Sequence, residues 1–207
     1  IRQDEPVGDH GAGDMICALP HTCTIQRRYQ KQKLSYATGT QAFHAGATVT
    51  GGVSGATAVI DRIVGNATSG YLIVKTVTGT FNGTELLTDN GSAPVGSATM
   101  NAAQVAYKND SGEYEYYWTD DQTNVPARFY SVRSRVTVLT PGQFPGMTTY
   151  VMLYSTATIN HLNYRIKSTT PGFTPASGIY QILSVKAPYN SMALDHFTLE
   201  LKELASA

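Results

Sequence analysis

Residues 46–91 read "GATVTGGVSGATAVIDRIVGNATSGYLIVKTVTGTFNGTELLTDNG", and this stretch decides the fold. It holds the apolar runs Ala47–Thr50, Thr57–Ile60, Tyr71–Val77 and Thr84–Leu87. Between them stand the breakers Gly51-Gly52, Gly55, Gly65-Asn66, Gly70, Asn82-Gly83 and Asn90-Gly91. Short strands with turn signals every 8–12 residues or so mark a small β-sandwich or barrel. Asn82-Gly83 and Asn90-Gly91 read as tight hairpin turns, whose central residues take positive φ. Composition changes near Thr38 and again near Ala106, so 38–106 reads as a separate inserted module.

Strand patterns continue on both sides of this insert. His21–Tyr29 alternates Thr22, Thr24 and Gln26 against Cys23, Ile25 and Arg27, the period of a strand. Residues 1–20, punctuated by Pro6, Gly8, Gly11, Gly13 and Pro20, read as an extended arm. Beyond the insert, Glu113–Trp118 leads into Val125–Tyr130, then Arg135–Thr140 closed by Pro141-Gly142. Val151–Tyr154 and Asn163–Ile166 read as strands, or in part as one short helix. Gly178–Val185 is a further strand. His196–Lys202 puts Phe197, Leu199 and Leu201 on one face and Thr198, Glu200 and Lys202 on the other. The expected architecture is all-β. A small β-barrel from 21–37 and 107–207 carries the 38–106 module, a small sandwich or barrel, behind the N-terminal arm 1–20.

Composition narrows the function. Charged residues make up 14% of the 207, against roughly 25% in an average chain. With 42% hydrophobic and 10% aromatic residues the chain can fill a core. Sparse charge also fits burial against neighbours, because interface cores are depleted of it. The net charge of zero argues against affinity built on phosphate neutralisation. Cys17 and Cys23, the two cysteines, could close a small loop at their spacing, set against the bland reading of two free thiols beside or within a strand. No apolar run approaches the ~18 residues of a membrane span, and Ile1–Pro6 lacks a signal-peptide core. A soluble protein made in a cytoplasm is the expectation.

Catalytic chemistry needs converging groups. His10, His21, His44, His161 and His196 stand apart, without the pair spacing of a zinc site. His10 with Asp9 and Asp14 could bind a cation in the arm, set against the favoured reading of a solvated polar loop. Asp195-His196 lacks an accompanying nucleophile elbow. Gly51–Gly55 lacks the Lys-Ser/Thr of a phosphate loop. The reading is therefore non-enzymatic, with no catalytic residue, cofactor or metal. The basic residues Arg27, Arg28, Lys31, Lys33, Arg133 and Arg135, with Arg128 beside them, are candidate contact residues, set against the bland reading of solvated strand ends. Tyr114, Tyr116, Tyr117 and Trp118 could stack a sugar or base, or divide between core and interface.

Outside the insert, the chain runs "LPHTCTIQRR", "YYWTDDQTNVPARFY", "RVTVLTPG", "SGIYQILSVKAP" and "LDHFTLELKEL" in order. Over Leu19–Arg28 and Tyr114–Leu204 this resembles the small β-barrel head-closure (stopper) and head–tail joining proteins of long-tailed phages. The insert resembles a β module found in phage tail and baseplate proteins. Gly46, Val49, Gly51, Ser54, Gly55, Ala56, Thr57, Ala58 and Ile60 fit the first half of its pattern. Gly70, Leu72, Val74, Gly79, Phe81, Gly83, Glu85 and Leu86 fit the second.

These resemblances imply a structural virion protein in the neck, forming a hexameric homo-oligomer ring. A portal or adaptor ring would lie above and a tail terminator or tail tube below. Viral DNA would pass through without sequence recognition, Arg27, Arg28, Lys31, Lys33, Arg133 and Arg135 would be channel or ring-contact residues, and no membrane would be involved. In stopper proteins a loop projects into the channel, but the link from Phe129 to Val136 is short for a plug. Either 141–149 or 167–178 narrows the channel, or the protein joins rings without gating. The arm and the C-terminal strand are the expected segments for exchange between subunits. A tail-completion or baseplate ring protein is an alternative. A carbohydrate- or receptor-binding module is an alternative of another class.

Overall fold

The structure, a computed structural model, describes residues 19–133, 147–154, 158–174, 178–186 and 196–204, with backbone alone at 132, 133, 147, 154 and 196. Most of the expected arm, the 135–140 strand and Pro141-Gly142 fall outside these residues. The strands are β1 (His21–Gln30), β2 (Gln32–Gln41), β3 (Thr48–Gly51), β4 (Thr57–Gly65), β5 (Gly70–Thr78), β6 (Leu86–Asp89) and β7 (Ser97–Met100). They continue with β8 (Val105–Ala106), β9 (Tyr116–Arg133), β10 (Met147–Tyr154), β11 (Tyr164–Ser168), β12 (Ile179–Lys186) and β13 (His196–Glu203). The chain is all-β, and no helix occurs among the described residues. The ambiguous 148–167 region resolves into β10 and β11.

The chain divides into two units, Ile1–Arg28 with Trp118–Ala207, and Tyr29–Tyr117. The first is a closed barrel in the order β1-β11-β12-β13-β10-β9. Alternation explains it. Cys23 and Ile25 of β1, Ala127 and Phe129 of β9, Val151 and Leu153 of β10, Ile166 of β11, Ile182 of β12, and Leu199 and Leu201 of β13 all join one core. Each such aliphatic side chain, fully buried, contributes about 1.5–3 kcal/mol. The alternation of β1 breaks at Gln26, which is buried where an outward polar residue was expected. Arg165 Nε donates to Gln26 Oε1 at 2.7 Å, and the Gln26 amide donates to Asp120 Oδ1. Cys23 is a free, buried thiol whose pKa burial pushes up to about 12.

Sequence reading split β9 in two, whereas it is one strand of 18 residues. Asn124 bends it with a φ of 55°. The register with β10 starts at Ala127, so the missing N–H of Pro126 costs that pairing no bond. The C-terminal strand β13 pairs with β10 on one side and β12 on the other. It is therefore an interior member of its own barrel. Phe173, in the 167–178 loop, stacks on Phe129 at 5.8 Å and covers the core of its own barrel.

The second unit runs β5-β4-β3-β6-β7-β2-β8, and a β2–β5 pairing closes six strands into another barrel. It is longer than the expected 38–106 insert. Composition misses the flanks because they are ordinary in content but belong to this unit by contact. Leu34 and Tyr36 of β2 lie in its core. Lys31 N–H donates to the Glu115 carbonyl at 2.9 Å, and Tyr107 N–H to the Lys31 carbonyl at 2.8 Å.

Two buried carboxylates organise this barrel. Glu85, 2% exposed, accepts from Val53 N (2.9 Å), Ser54 N (2.8 Å), Asn82 N (2.6 Å) and the Ser54 hydroxyl (2.8 Å). Asp89 accepts from His44 N (2.7 Å), Gly96 N (2.8 Å) and Gly91 N (3.2 Å), with His44 Nδ1 at 3.0 Å. The glycines follow from this crowding. A Cβ on Gly51 would lie 2.6 Å from the Glu85 carboxyl group, and one on Gly91 would lie 2.5 Å from the His44 ring. Neither Asn82-Gly83 nor Asn90-Gly91 takes the positive φ expected of a hairpin turn. Close approach, and not turn geometry, is why glycine stands at both places: a Cβ on Gly83 would meet Ala103 N at 2.8 Å.

Candidate functional site

The first-named basic candidates do not form one patch within either unit. Arg27 and Arg28 end the first unit's opening segment, and Lys31 and Lys33 belong to the second. The Arg27 guanidinium lies 5.9 Å from the Tyr164 ring centre. The Lys33 ammonium sits 4.3 Å over Tyr71. Arg133 is placed on β9 by backbone alone, and Arg135 lies outside the described residues. Arg128 is exposed and, with Tyr130 and Met152, lines a shallow hollow on the outside of the first barrel.

Lys31 proves to be the centre of an ion network that sequence reading missed. Its ammonium lies 2.8 Å from Asp61 and 3.1 Å from Glu115. Asp61 also meets Lys75 at 3.0 Å, and Glu115 meets Arg62 at 3.1 Å. The Lys31 hydrogen bond holds the Asp61 carboxyl below its ordinary pKa. Burial pushes Glu115 up, but hydrogen bonds from Lys31 and Arg62 outweigh it and hold that carboxyl low too. The charge of Lys31 is thus met inside its own unit. Lys31→Ala should destabilise the second unit by about 1–3 kcal/mol in urea denaturation, because two half-buried carboxylates lose a partner. A change confined to an oligomeric contact, with monomer stability intact, would contradict this reading.

The histidines are dispersed. His21 packs against Phe129 and Phe173, and its Nδ1 accepts from Phe129 N at 3.1 Å. His161 is exposed, while His10, Asp195 and the His196 side chain lie outside the described residues. Among the described residues an Asp–His contact joins His44 to Asp89, far apart in sequence. It organises a loop, and no hydroxyl or thiol is hydrogen-bonded to His44 among the described residues. Among those residues no three His, Cys, Asp or Glu side chains converge on a metal-sized site.

The aromatic group is also divided. Trp118 belongs to the first unit, where Arg165 lies 4.4 Å over its ring. Tyr114 and Tyr116 are exposed, and Lys108 lies 4.7 Å from the Tyr114 ring centre. Tyr117 stacks on Tyr29, with ring centres 5.9 Å apart.

The outer face of the first barrel carries a more coherent arrangement. One row crosses four strands as Tyr130, Tyr150, Glu200 and Ser184. The next crosses them as Arg128, Met152, Thr198 and Lys186. The two tyrosines stack at 5.6 Å, and Lys186 lies 5.3 Å from Tyr150. Nothing here arranges an acid, base and nucleophile; Tyr, Met and Arg are the residue types enriched in protein interfaces. No family model, curated protein or solved structure matches this chain.

Proposed function

We propose that this chain is a structural assembly protein that works by presenting faces to neighbours and not by catalysis. Within that class, the reading is a ring subunit at the head–tail junction of a tailed bacteriophage particle. The observation that carries it is a closed six-stranded barrel in which β1, β9, β12 and β13 come from segments that resemble head-closure proteins, with a second barrel between its first strand and the rest. A closed barrel has no free sheet edge, so its contacts are made by side-chain faces. The Tyr130–Tyr150 and Arg128–Met152 rows are such a face. A ring arises when each copy meets the next through two different surfaces and the rotation closes.

Partners on this reading are further copies of the chain, a portal or adaptor ring above, and a tail terminator or tail tube below. DNA passes through without sequence recognition, and the location is the neck of the virion. The test is the mass of the full chain in solution, alone and mixed with portal–adaptor complexes from the same particle. A monomer that becomes a stoichiometric ring on that complex is the expected result. Rings that form only on isolated tails would move the protein to tail completion. A monomer that ignores both would defeat the proposal.

A further inference from the structure

The second barrel has an open groove of about 340 Å³ whose lining includes Tyr29, Tyr117, Gln30, Gln32, Gln104 and Val77. No charged side chain lines it among the described residues. Tyr29 stacks on Tyr117 with 27° between the ring planes and remains 38% exposed, so aromatic surface is left for a ligand. The Tyr117 hydroxyl accepts from Thr76 N at 2.7 Å, which leaves its own proton to donate. Gln104 Oε1 accepts from Phe81 N at 3.0 Å, which fixes the amide and leaves its two N–H donors.

The backbone beneath is held in an uncommon state. Thr76 has a φ of 52°, rare for a β-branched residue. The β4–β5 register shifts between Thr57/Thr78 and Val59/Lys75, so Thr76 and Val77 sit at a bulge. Bulges re-aim side chains and gather beside sites, and backbone strain persists where surrounding contacts hold it. Here the Tyr117 hydroxyl holds Thr76, and Val77 forms part of the groove.

Aromatic faces, amides that both donate and accept, and an absence of charge are the chemistry of a neutral sugar. Its C–H face lies on a ring while its hydroxyls pair with amides. A nucleobase would also stack, but its strand brings phosphates and calls for a basic lining. We propose that this groove is a binding subsite for a neutral saccharide, independent of whether the chain forms a ring.

The experiment is ligand-observed saturation-transfer NMR and calorimetry on the full chain with cellohexaose, maltohexaose and chitohexaose, with a thymidine dodecamer as the nucleic-acid probe. Binding of at least one sugar is expected, with affinity falling about tenfold or more in Tyr29→Ala, a loss of about 1.4 kcal/mol. Gln30→Ala, which alters an exposed side chain, is the companion variant in case the first does not fold. A loss of affinity in either folded variant supports the subsite. Silence from all three sugars, unchanged affinity in the folded variants, or binding of the dodecamer alone overturns it.

Discussion

Glu85→Gln is expected to unfold the second barrel at denaturant concentrations where the first remains intact. The Glu85 carboxylate is 2% exposed and accepts from three backbone N–H groups and one hydroxyl. Glutamine keeps the shape but removes the charge and turns one acceptor position into a donor. Whichever way the amide is placed, an NH₂ faces N–H groups already aimed at an oxygen. Hydrogen bonds to charged groups contribute about 1.5–3 kcal/mol each, and buried donors left without an acceptor cost a similar amount. A net loss of about 3–5 kcal/mol is expected, against a typical domain stability of about 5–15 kcal/mol. Gly51→Ala should act in the same direction, because its methyl would enter the space of the carboxyl group at 2.6 Å. Urea unfolding followed by peptide-resolved hydrogen exchange reads both units. If peptides within 29–117 keep their protection in Glu85→Gln to within about 1 kcal/mol, the carboxylate is not the organiser described above.

The sequence makes strands legible where one face is buried and the other wet. His196–Lys202 is such a case: Leu199 and Leu201 are buried while Lys202 is exposed. The same holds for Thr57–Ile60, where Ala58 and Ile60 are buried, whereas in Tyr71–Val77 the consecutive Leu72, Ile73 and Val74 are all buried and the apolar run between turn residues marks the strand. Three kinds of feature were not legible. Unit boundaries depend on which core a strand joins, and Leu34 looks the same whichever barrel it enters. The roles of Glu85 and Asp89 depend on loops that fold around them from distant positions. A lone acidic residue before an apolar pair gives little local sign of burial. The ion network centred on Lys31 joins residues 31, 61, 62, 75 and 115, a set that only the barrel topology brings together.

Groove and interface residues were partly legible. Tyr117 was singled out as a stacking residue. Its partner Tyr29 lies across the whole second unit in sequence, and the glutamines carry no pattern at all. The basic cluster shows the opposite failure. Four cations close together in sequence looked like one feature, yet Lys31 is neutralised by carboxylates and Lys33 rests on an aromatic ring. Proximity along a strand says little about shared function, because alternate residues face opposite ways and the chain passes between units at Arg28–Tyr29.

Acid should open the second barrel first, and the sign follows from its carboxyl groups. Lys31 holds Asp61 low, with Lys75 adding to the effect. Burial raises Glu85, but hydrogen bonds from Ser54, Val53 and Asn82 outweigh it and leave its pKa depressed. Burial likewise raises Asp89, and His44, Gly96 and Gly91 outweigh it. Glu115 behaves in the same way through Lys31 and Arg62. All four lie within Tyr29–Tyr117. A carboxyl whose folded pKa is below its unfolded value contributes stability that is complete above the unfolded value, near 4 to 4.5 or so, and lost as pH falls through the folded one. Four such groups in one unit make its stability, more than that of the other, sensitive to acid. The buried polar residues of the first barrel are Gln26, Ser168 and Thr170, with no buried carboxylate among the described residues. Pepsin digestion between pH 4 and pH 2 or so should therefore cut within 29–117 before it cuts within 118–204, while Trp118 keeps its folded emission. Salt separates the two sources of the effect. Added salt should weaken the contribution of the Lys31, Arg62 and Lys75 ion pairs, which are partly exposed, and leave that of Glu85, bound by backbone N–H groups, nearly unchanged. Simultaneous cleavage of both units, or prior loss of the first barrel, would show that acid stability does not reside in these carboxyls.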